Sequence, residues 1–382
     1  MNKKLLLLPL IFAAKSALAD PLTVEELRIE KAQAKIPAVL NAFAPDVRDF
    51  ELAWQKVEDF QQAKKFVQEE ANELWLDAKS QVRSSKLGDD RILYWTRLML
   101  SRVIRTQVPG FDMTSAQQQV LLDLLEYGSR GRNDLDYNKG TNKKILLTGF
   151  DPFLLDRNIN QSNPSGLAAL TLDGQTIELN GVTAEINTVM IPVRYEDFDQ
   201  GLIESLLAPY YALDDVDMIV TVSMGRKEFD LERFPGKRRS VTAPDNANLL
   251  SGGDAKNPVI PKLNGRPLPG REFVEFSLPV EYMQQAKGPY KVIDNHKITD
   301  TKASYEAKSL VQLSDKVAVQ GGGGGYLSNE ISYRSIRLRN ELNSTIPTGH
   351  IHTPRIQQYE PEIEAQIVEQ VKGMLKQSLA AI

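Results

Sequence analysis

Few side chains in this sequence can do covalent chemistry. Its 382 residues include 3 histidines and no cysteine. Without thiols there are no cysteine nucleophiles, thiolate metal sites, iron–sulfur clusters or disulfides. A nucleophilic hydrolase built here needs a hydroxyl, with His296, His350 or His352 as its base. His296 lies in the polar run Asp294-Asn295-His296-Lys297 and reads as solvated. His350 and His352 stand in Gly349-His350-Ile351-His352-Thr353-Pro354. On a strand, residues i and i+2 share a face. Such a pair could bind a metal, but no third ligand lies in the motif, and one histidine acting as general base is the more economical reading. The hydroxyl candidate is Ser328, which follows the glycines Gly321 to Gly325 and Tyr326-Leu327. Glycines let a backbone turn sharply and approach a ligand, and amides in such a turn can stabilise an oxyanion. The other reading of Ser328 is a cap on the following helix. It is not the Gly-x-Ser-x-Gly elbow, because Asn329 and Glu330 follow it. Glu232, in the run Gly225 to Arg233, is the candidate carboxylate to orient the imidazole. Taken alone, that run also reads as a solvated charged loop.

The elements around these residues fall into two kinds. From Asp20 to about Tyr127 the pattern is helical. Thr23 with Glu26 forms a capping box. Phe50, Trp54, Val57, Phe66, Val67, Leu74 and Trp75 recur at helical spacing along one long segment. These aromatics read as helix–helix core. Further helices are expected over Ile92 to Ile104 and Val120 to Leu125, with Pro37, Pro45, Pro109 and Gly88-Asp89-Asp90 as separators. Gly128 to Lys144 is polar and reads as a linker or a long loop. Beyond it, short apolar runs end in polar or glycine segments: Ile145-Leu146-Leu147, Val216 to Val222 and Val317-Ala318-Val319. They alternate with helical stretches such as Tyr195 to Leu207 and Pro361 to Ala380. This alternation predicts an α/β fold, a sheet with helices on its faces, preceded by an all-α domain. The expected division is 1–19, 20–140 and 141–382. In such sheets ligands sit at the carboxyl ends of the strands.

Composition narrows the class. Hydrophobic residues make up 42% and charged residues 25%, close to globular averages, which disfavours collagen-like, disordered and multi-span membrane chains. A net charge of −4 gives no reason to expect a nucleic-acid partner. At the start, Lys3 and Lys4 precede the apolar run Leu5 to Ala14, and Ala17-Leu18-Ala19 follows. That layout predicts an export signal cleaved after Ala19, hence a periplasmic or secreted protein. The run is too short to span a bilayer, which takes about 20 residues, and no later stretch approaches a span.

Read together, the segments from about Lys144 to Pro354 resemble the pyroglutamyl peptidase type I (pyrrolidone-carboxylate peptidase) family. Thr148-Gly149-Phe150-Asp151-Pro152-Phe153 is similar to its opening Thr-Gly-Phe-Glu-Pro-Phe. Asn163-Pro164-Ser165, Gly225-Arg226 with Glu232-Arg233, Pro244-Asp245-Asn246 and Ser277-Leu278-Pro279 match further motifs in order. Gly325-Tyr326-Leu327-Ser328-Asn329 and Gly349 to Pro354 complete the series. The resemblance implies an α/β/α sandwich that removes an N-terminal pyroglutamyl residue from a blocked peptide, with no cofactor. It assigns Glu232 as orienting carboxylate, His352 as base and the Ser328 position as nucleophile. It also assigns Phe150, Phe153, Tyr326 and Leu327 to the pocket for the pyroglutamyl ring. The sequence departs from the family pattern at Ser328, where the family has Cys, at Val222-Ser223-Met224, and at Thr242, where the family has Arg. The alternative implied by those departures is a catalytically weak or inactive relative. Such a protein would bind pyroglutamyl-like peptide ends or act in the envelope as an interaction protein, its helical half offering a partner surface.

Overall fold

The computed structural model describes residues 22–85, 88–138, 140 and 142–382. The expected export signal, 1–19, lies outside the described residues. Four longer helices come first: α1 (Ala44–Trp54), α2 (Phe60–Ser84), α3 (Arg91–Thr106) and α4 (Ser115–Gly128). The Thr23–Glu26 capping box is present on a short helix upstream of them. The apolar spacing that reads as one segment across Phe50 to Trp75 is broken between α1 and α2. There the Asp59 carboxylate accepts from the amides of Gln61 at 2.8 Å and Gln62 at 2.9 Å, an N-cap that restarts the helix.

Seven strands form the main sheet: β1 (Lys143–Phe150), β2 (Gln175–Leu179), β3 (Val182–Ile191), β4 (Met218–Met224), β5 (Phe229–Glu232), β6 (Val292–Asn295) and β7 (Thr348–Thr353). Their order is β2-β3-β1-β4-β7-β5-β6. The central four, β3, β1, β4 and β7, run parallel. Strand β5 joins antiparallel to β7, and β2 closes the other edge antiparallel to β3. Alternation divides each strand between two layers. Ile145, Leu147, Val220, Val222 and Ile351 face α5 (Pro164–Leu172) and α8 (Pro361–Ser378). Leu146, Val189 and Ile219 face α6 (Leu202–Leu213) and α7 (Leu327–Glu341). The result is the expected three-layer α/β/α arrangement with helices ahead of it.

Two expectations fail for physical reasons. Val317-Ala318-Val319 does not enter the main sheet. Its strand, Ala318–Gln320, pairs with Lys297–Asp300 in a separate three-stranded sheet, where Ala318 packs with Phe234, Phe273 and Ile298. The polar run after Gly128 is not a free linker either. Arg130 is buried, and its guanidinium bonds Glu126 at 2.6 Å and Asp151 at 2.7 Å. Arg97 from α3 holds the other oxygen of Asp151 at 2.7 Å. Two guanidiniums around one carboxylate satisfy a charge that burial would otherwise make costly, and they tie the helices to the end of β1.

A second buried joint links α3 and α8. Asp90 and Glu364 are both buried. Asp90 accepts from the Asn163 amide at 3.0 Å, and Glu364 accepts from Ser162 Oγ at 2.7 Å. Each carboxyl keeps one oxygen without a hydrogen-bond partner. Burial pushes Glu364 up to about 7, with repulsion from Asp89 adding to it, and burial with repulsion from Glu364 and Asp89 holds Asp90 well above the usual carboxylate range. A carboxyl raised on folding keeps its proton after the unfolded chain has lost it. Its stabilising effect is therefore complete below the unfolded value and is lost as pH rises through the folded one. Stability should fall on the order of 3 kcal/mol between the unfolded value near 4.5 and the folded value near 7. Urea melts across that window should show the slope, and Glu364→Gln should flatten it.

Candidate active site

Glu232, the last residue of β5, is fully buried rather than sitting in a solvated loop. Parity explains the difference. Phe229 and Leu231 go into the core below the sheet, so Asp230 and Glu232 turn to the opposite face. On the neighbouring β7, His350 and His352 point the same way, and His352 pairs in register with Asp230. The Glu232 Oε1–His352 Nδ1 separation is 2.5 Å, short enough for a charge-assisted hydrogen bond. Glu232 Oε2 accepts from Asn295 Nδ2 at 2.9 Å. Arg226 Nη2 lies 3.7 Å from Oε1. Among the described residues, His352 Nε2 makes no hydrogen bond, so the ring is oriented from one side and open on the other.

Two glycines make this packing possible. A Cβ on Gly225 would stand 2.5 Å from His352 Cβ, and one on Gly322 would stand 2.1 Å from Glu232 Oε2. The rest of the glycine run leads into α7, whose N-cap is Tyr326. Ser328 therefore lies inside the first turn and does not cap the helix. Amides at that end have no partners within the helix and create positive potential. Ser328 Oγ donates to Gly323 O at 3.2 Å. Asn329 anchors the turn by exchanging two hydrogen bonds with the Gly236 backbone, at 2.9 and 2.7 Å. Behind it, Glu330 is clasped by Arg239 at 2.6 Å and Arg334 at 2.8 Å.

Ser328 borders a small cavity of about 30 Å³ together with Phe150, Phe153, Tyr326, Leu327 and Ser223. That is room for about one water. All four residues expected to line a ring pocket are thus brought to one place with the expected nucleophile. Phe150 stacks on Phe198, with ring centroids 6.4 Å apart, and the Tyr326 ring lies 6.3 Å from Phe153. Tyr326 is fixed by donating to Pro244 O at 2.9 Å. The Phe153 loop is fixed from two sides: Asn246 Nδ2 donates to Pro152 O and Asn163 Nδ2 to Asp151 O, both at 2.9 Å. The motifs around Asn163 and Asn246 therefore act by bracing the pocket.

The other two histidines differ from their sequence readings. His296 is half-buried; its ring bonds Ala307 O at 2.8 Å and Asp294 at 3.0 Å. His350 is fully buried, with Thr221 on Nδ1 at 2.7 Å and Ser223 on Nε2 at 2.8 Å. Burial, and then the neighbouring His352, holds His350 well below the ordinary histidine value. Among the described residues no group of three or more His, Asp or Glu could hold a metal ion. No helix among them is long and apolar enough to cross a membrane.

Sequence reasoning missed Asn295, Thr221 and Ser223. Asn295 sits beside His296 in a polar run, and nothing local marks it as a partner of Glu232. Thr221 and Ser223 did leave a signal: two hydroxyls at alternate positions of an otherwise apolar strand, two residues apart like the histidines they meet.

Comparison with known proteins gives the following. Several solved structures of pyrrolidone carboxyl peptidase from Pyrococcus furiosus are similar. A mutant form is 20% identical with a TM-score of 0.44, covering 63% of this chain and 99% of its own. The enzyme described together with its Cys-free mutant is 20% identical with a TM-score of 0.42, covering 62% and 98%. An uncharacterized protein of Pseudomonas aeruginosa, PA0049, is 28% identical over 396 aligned positions, covering 79% of this chain and 71% of its own length. A family model described as the PA0049 N-terminal domain matches residues 12–126. A second, described as the PA0049 C-terminal domain, matches residues 144–271 and 280–357, more than half of the chain. The chain therefore belongs to the PA0049 family.

Proposed function

We propose that this protein is an exported hydrolase that removes an N-terminal pyroglutamyl or similar group from blocked peptides through Ser328, His352 and Glu232. The observation that carries the reading is the buried Glu232–His352 hydrogen bond, with His352 paired in register to Ser223, a lining residue of the pocket whose wall also holds Ser328. An aspartate or glutamate bonded to Nδ1 fixes the imidazole tautomer and leaves Nε2 to take a proton. A pocket for binding alone has no need of that pair. The pocket is lined by aromatic rings and leucine, surfaces that suit a small, flat ring, and the side chains around it must part to admit one because the unliganded cavity holds about one water. The export part of the reading rests on the basic–apolar–small pattern of residues 3–19.

In the proposed reaction Ser328 Oγ attacks the carbonyl carbon of the pyroglutamyl group as His352 Nε2 takes the hydroxyl proton. The carbonyl oxygen gathers negative charge at the amino end of α7, where free amides stabilise it. Collapse breaks the amide C–N bond, and His352 returns the proton to the leaving amine. Water then repeats the sequence on the acyl-serine and releases the acid. Before attack, Ser328 Oγ must leave Gly323 O and turn to His352. Catalytic hydrogen bonds that are unmade without ligand often form only in the complex.

The Ser328–Gly323 bond also favours a second reading, a relative that binds pyroglutamyl-like ends without cleaving them. One assay separates the two. On a pyroglutamyl amide that releases a fluorophore, the wild-type chain should turn over, and Ser328→Ala should reduce the rate to background. Glu232→Gln should lower kcat by about 10³- to 10⁴-fold with KM little changed, because it removes tautomer control and leaves binding intact. Turnover no faster than Ser328→Ala would leave only the binding reading.

Asn295→Leu is expected to cost about tenfold in kcat by releasing Glu232 Oε2, a loss of the size seen when a buried charged hydrogen bond is removed. A kcat equal to wild type would show that Asn295 does not position the carboxylate. Ser328→Cys reports on shape. A thiol has a usual pKa of about 8.5 and can be held as thiolate beside an imidazole. A rate above wild type would show a site proportioned for sulfur, and a lower rate a site adapted to oxygen.

A further inference from the structure

Thr221, Ser223 and His350 form a buried chain that the proposed reaction does not use. Thr221 Oγ1 is 3.2 Å from Gly349 O, His350 Nδ1 is 2.7 Å from Thr221 Oγ1, and His350 Nε2 is 2.8 Å from Ser223 Oγ. A hydroxyl has one proton, and a carbonyl can only accept. Thr221 Oγ1 reaches both the Gly349 carbonyl and His350 Nδ1 and can give its proton to only one of them; in the polarity we take, it goes to the carbonyl. His350 must then donate through Nδ1–H to Thr221 Oγ1. Burial keeps this ring neutral, so Nε2 carries a lone pair and accepts the Ser223 proton. In that polarity the chain runs from the backbone outward and ends with the remaining lone pairs of Ser223 Oγ.

Ser223 is buried and borders the cavity that Phe150, Phe153, Tyr326 and Ser328 also line. The other polar groups on that wall are engaged. Asn163 Oδ1 accepts from the Ser165 amide at 3.1 Å and from Ser165 Oγ at 2.8 Å, and the Ser328 proton is donated to Gly323 O. An apolar pocket whose hydroxyl oxygens, Ser223 and Ser328, both present lone pairs selects a ligand that brings a donor, and with Ser328 replaced by alanine Ser223 is the acceptor that remains.

We infer that Ser223 is a specificity residue of this pocket, its oxygen accepting a hydrogen bond from the ring N–H of a bound lactam. The inference rests on the pyroglutamyl reading and deepens it. It explains why a lactam would be preferred to a ring of the same shape whose N–H is replaced by oxygen, since the ring oxygen would meet the Ser223 lone pairs.

The test is calorimetric binding to the full chain carrying Ser328→Ala, so that no ligand is consumed. Two probes are compared: pyroglutamyl amide and the lactone of the same ring, 5-oxotetrahydrofuran-2-carboxamide. The Ser328→Ala chain should bind the lactam about tenfold more tightly than the lactone, as one oriented hydrogen bond predicts. Adding Ser223→Ala should bring the two affinities within about twofold by weakening the lactam alone. Retention of the tenfold preference in the double variant would overturn the inference, as would equal binding of both probes to Ser328→Ala. In either case the pyroglutamyl reading would stand. Binding of neither probe would overturn both. His350→Phe on the Ser328→Ala background is a second check. It leaves Ser223 in place but frees its proton to rotate toward the pocket, so lactone binding should rise relative to lactam. An unchanged ratio would show that the histidine does not set the direction. Circular dichroism melts of each variant establish that it is folded.

Discussion

The hydrogen bond between Glu232 and His352 is the constraint around which the rest of the molecule is arranged. It needs a fully buried carboxylate, and a buried charge is costly unless hydrogen-bond donors surround it. The fold supplies them from separate places: the imidazole from β7, the Asn295 amide from β6 and the Arg226 guanidinium at the mouth. It also needs β5 to lie antiparallel beside β7 in a sheet whose centre is parallel. A shift of one residue in that pairing would send Glu232 to the layer containing α5 and α8 and leave the histidine without a carboxylate. Leu231 resists the shift, because it would leave the hydrophobic core.

The position of the proposed nucleophile depends on the same bond through the glycine run. Gly322 passes so close to Glu232 that only a hydrogen fits, and five residues later the chain has begun α7. Carboxylate and helix start are thus held by one segment of backbone, and Asn329 closes it against Gly236. The oxygen at Ser328 sets the chemistry of this frame. A thiol could be ionised in advance, whereas a hydroxyl must lose its proton during attack. The frame therefore has to deliver an oriented, neutral imidazole, which a carboxylate on Nδ1 provides.

Much of this was legible in the sequence because it is local. The apolar run Ile145 to Leu147, the capping box at Thr23 and the glycine run before Ser328 each announce their own geometry. The opening motif, read together with the late histidines, pointed to residues that the fold does gather, Phe150 and Phe153 in one cavity and His352 beside Glu232. Long-range pairing was not legible. Asn295 donates to a residue 63 positions away, and Arg97 reaches across 54 positions to Asp151. Neither partner leaves a mark near the other in the chain. The run Val317 to Val319 misled for the opposite reason. Its composition suits any buried strand, and only the inserted strand Lys297–Asp300 decides which sheet receives it. Glu232 looked like a solvated charge because burial of an acid depends on donors that lie elsewhere.

His350 and His352 share a face and a spacing, and sequence cannot rank them as bases. Their partners can. A base needs one nitrogen fixed and the other free, and His352 has a carboxylate on Nδ1 and no partner on Nε2 among the described residues. His350 has hydroxyls on both nitrogens and no carboxylate, so protonating it would reverse the bond to Ser223 and place an uncompensated cation in the core. The two rings stand nearly perpendicular, 4.8 Å apart between centroids. When His352 takes a proton, its charge further opposes protonation of His350. One ring is thus suited to carry a proton and the other to hold a fixed hydrogen-bond direction, and the difference comes entirely from the two strands that flank β7.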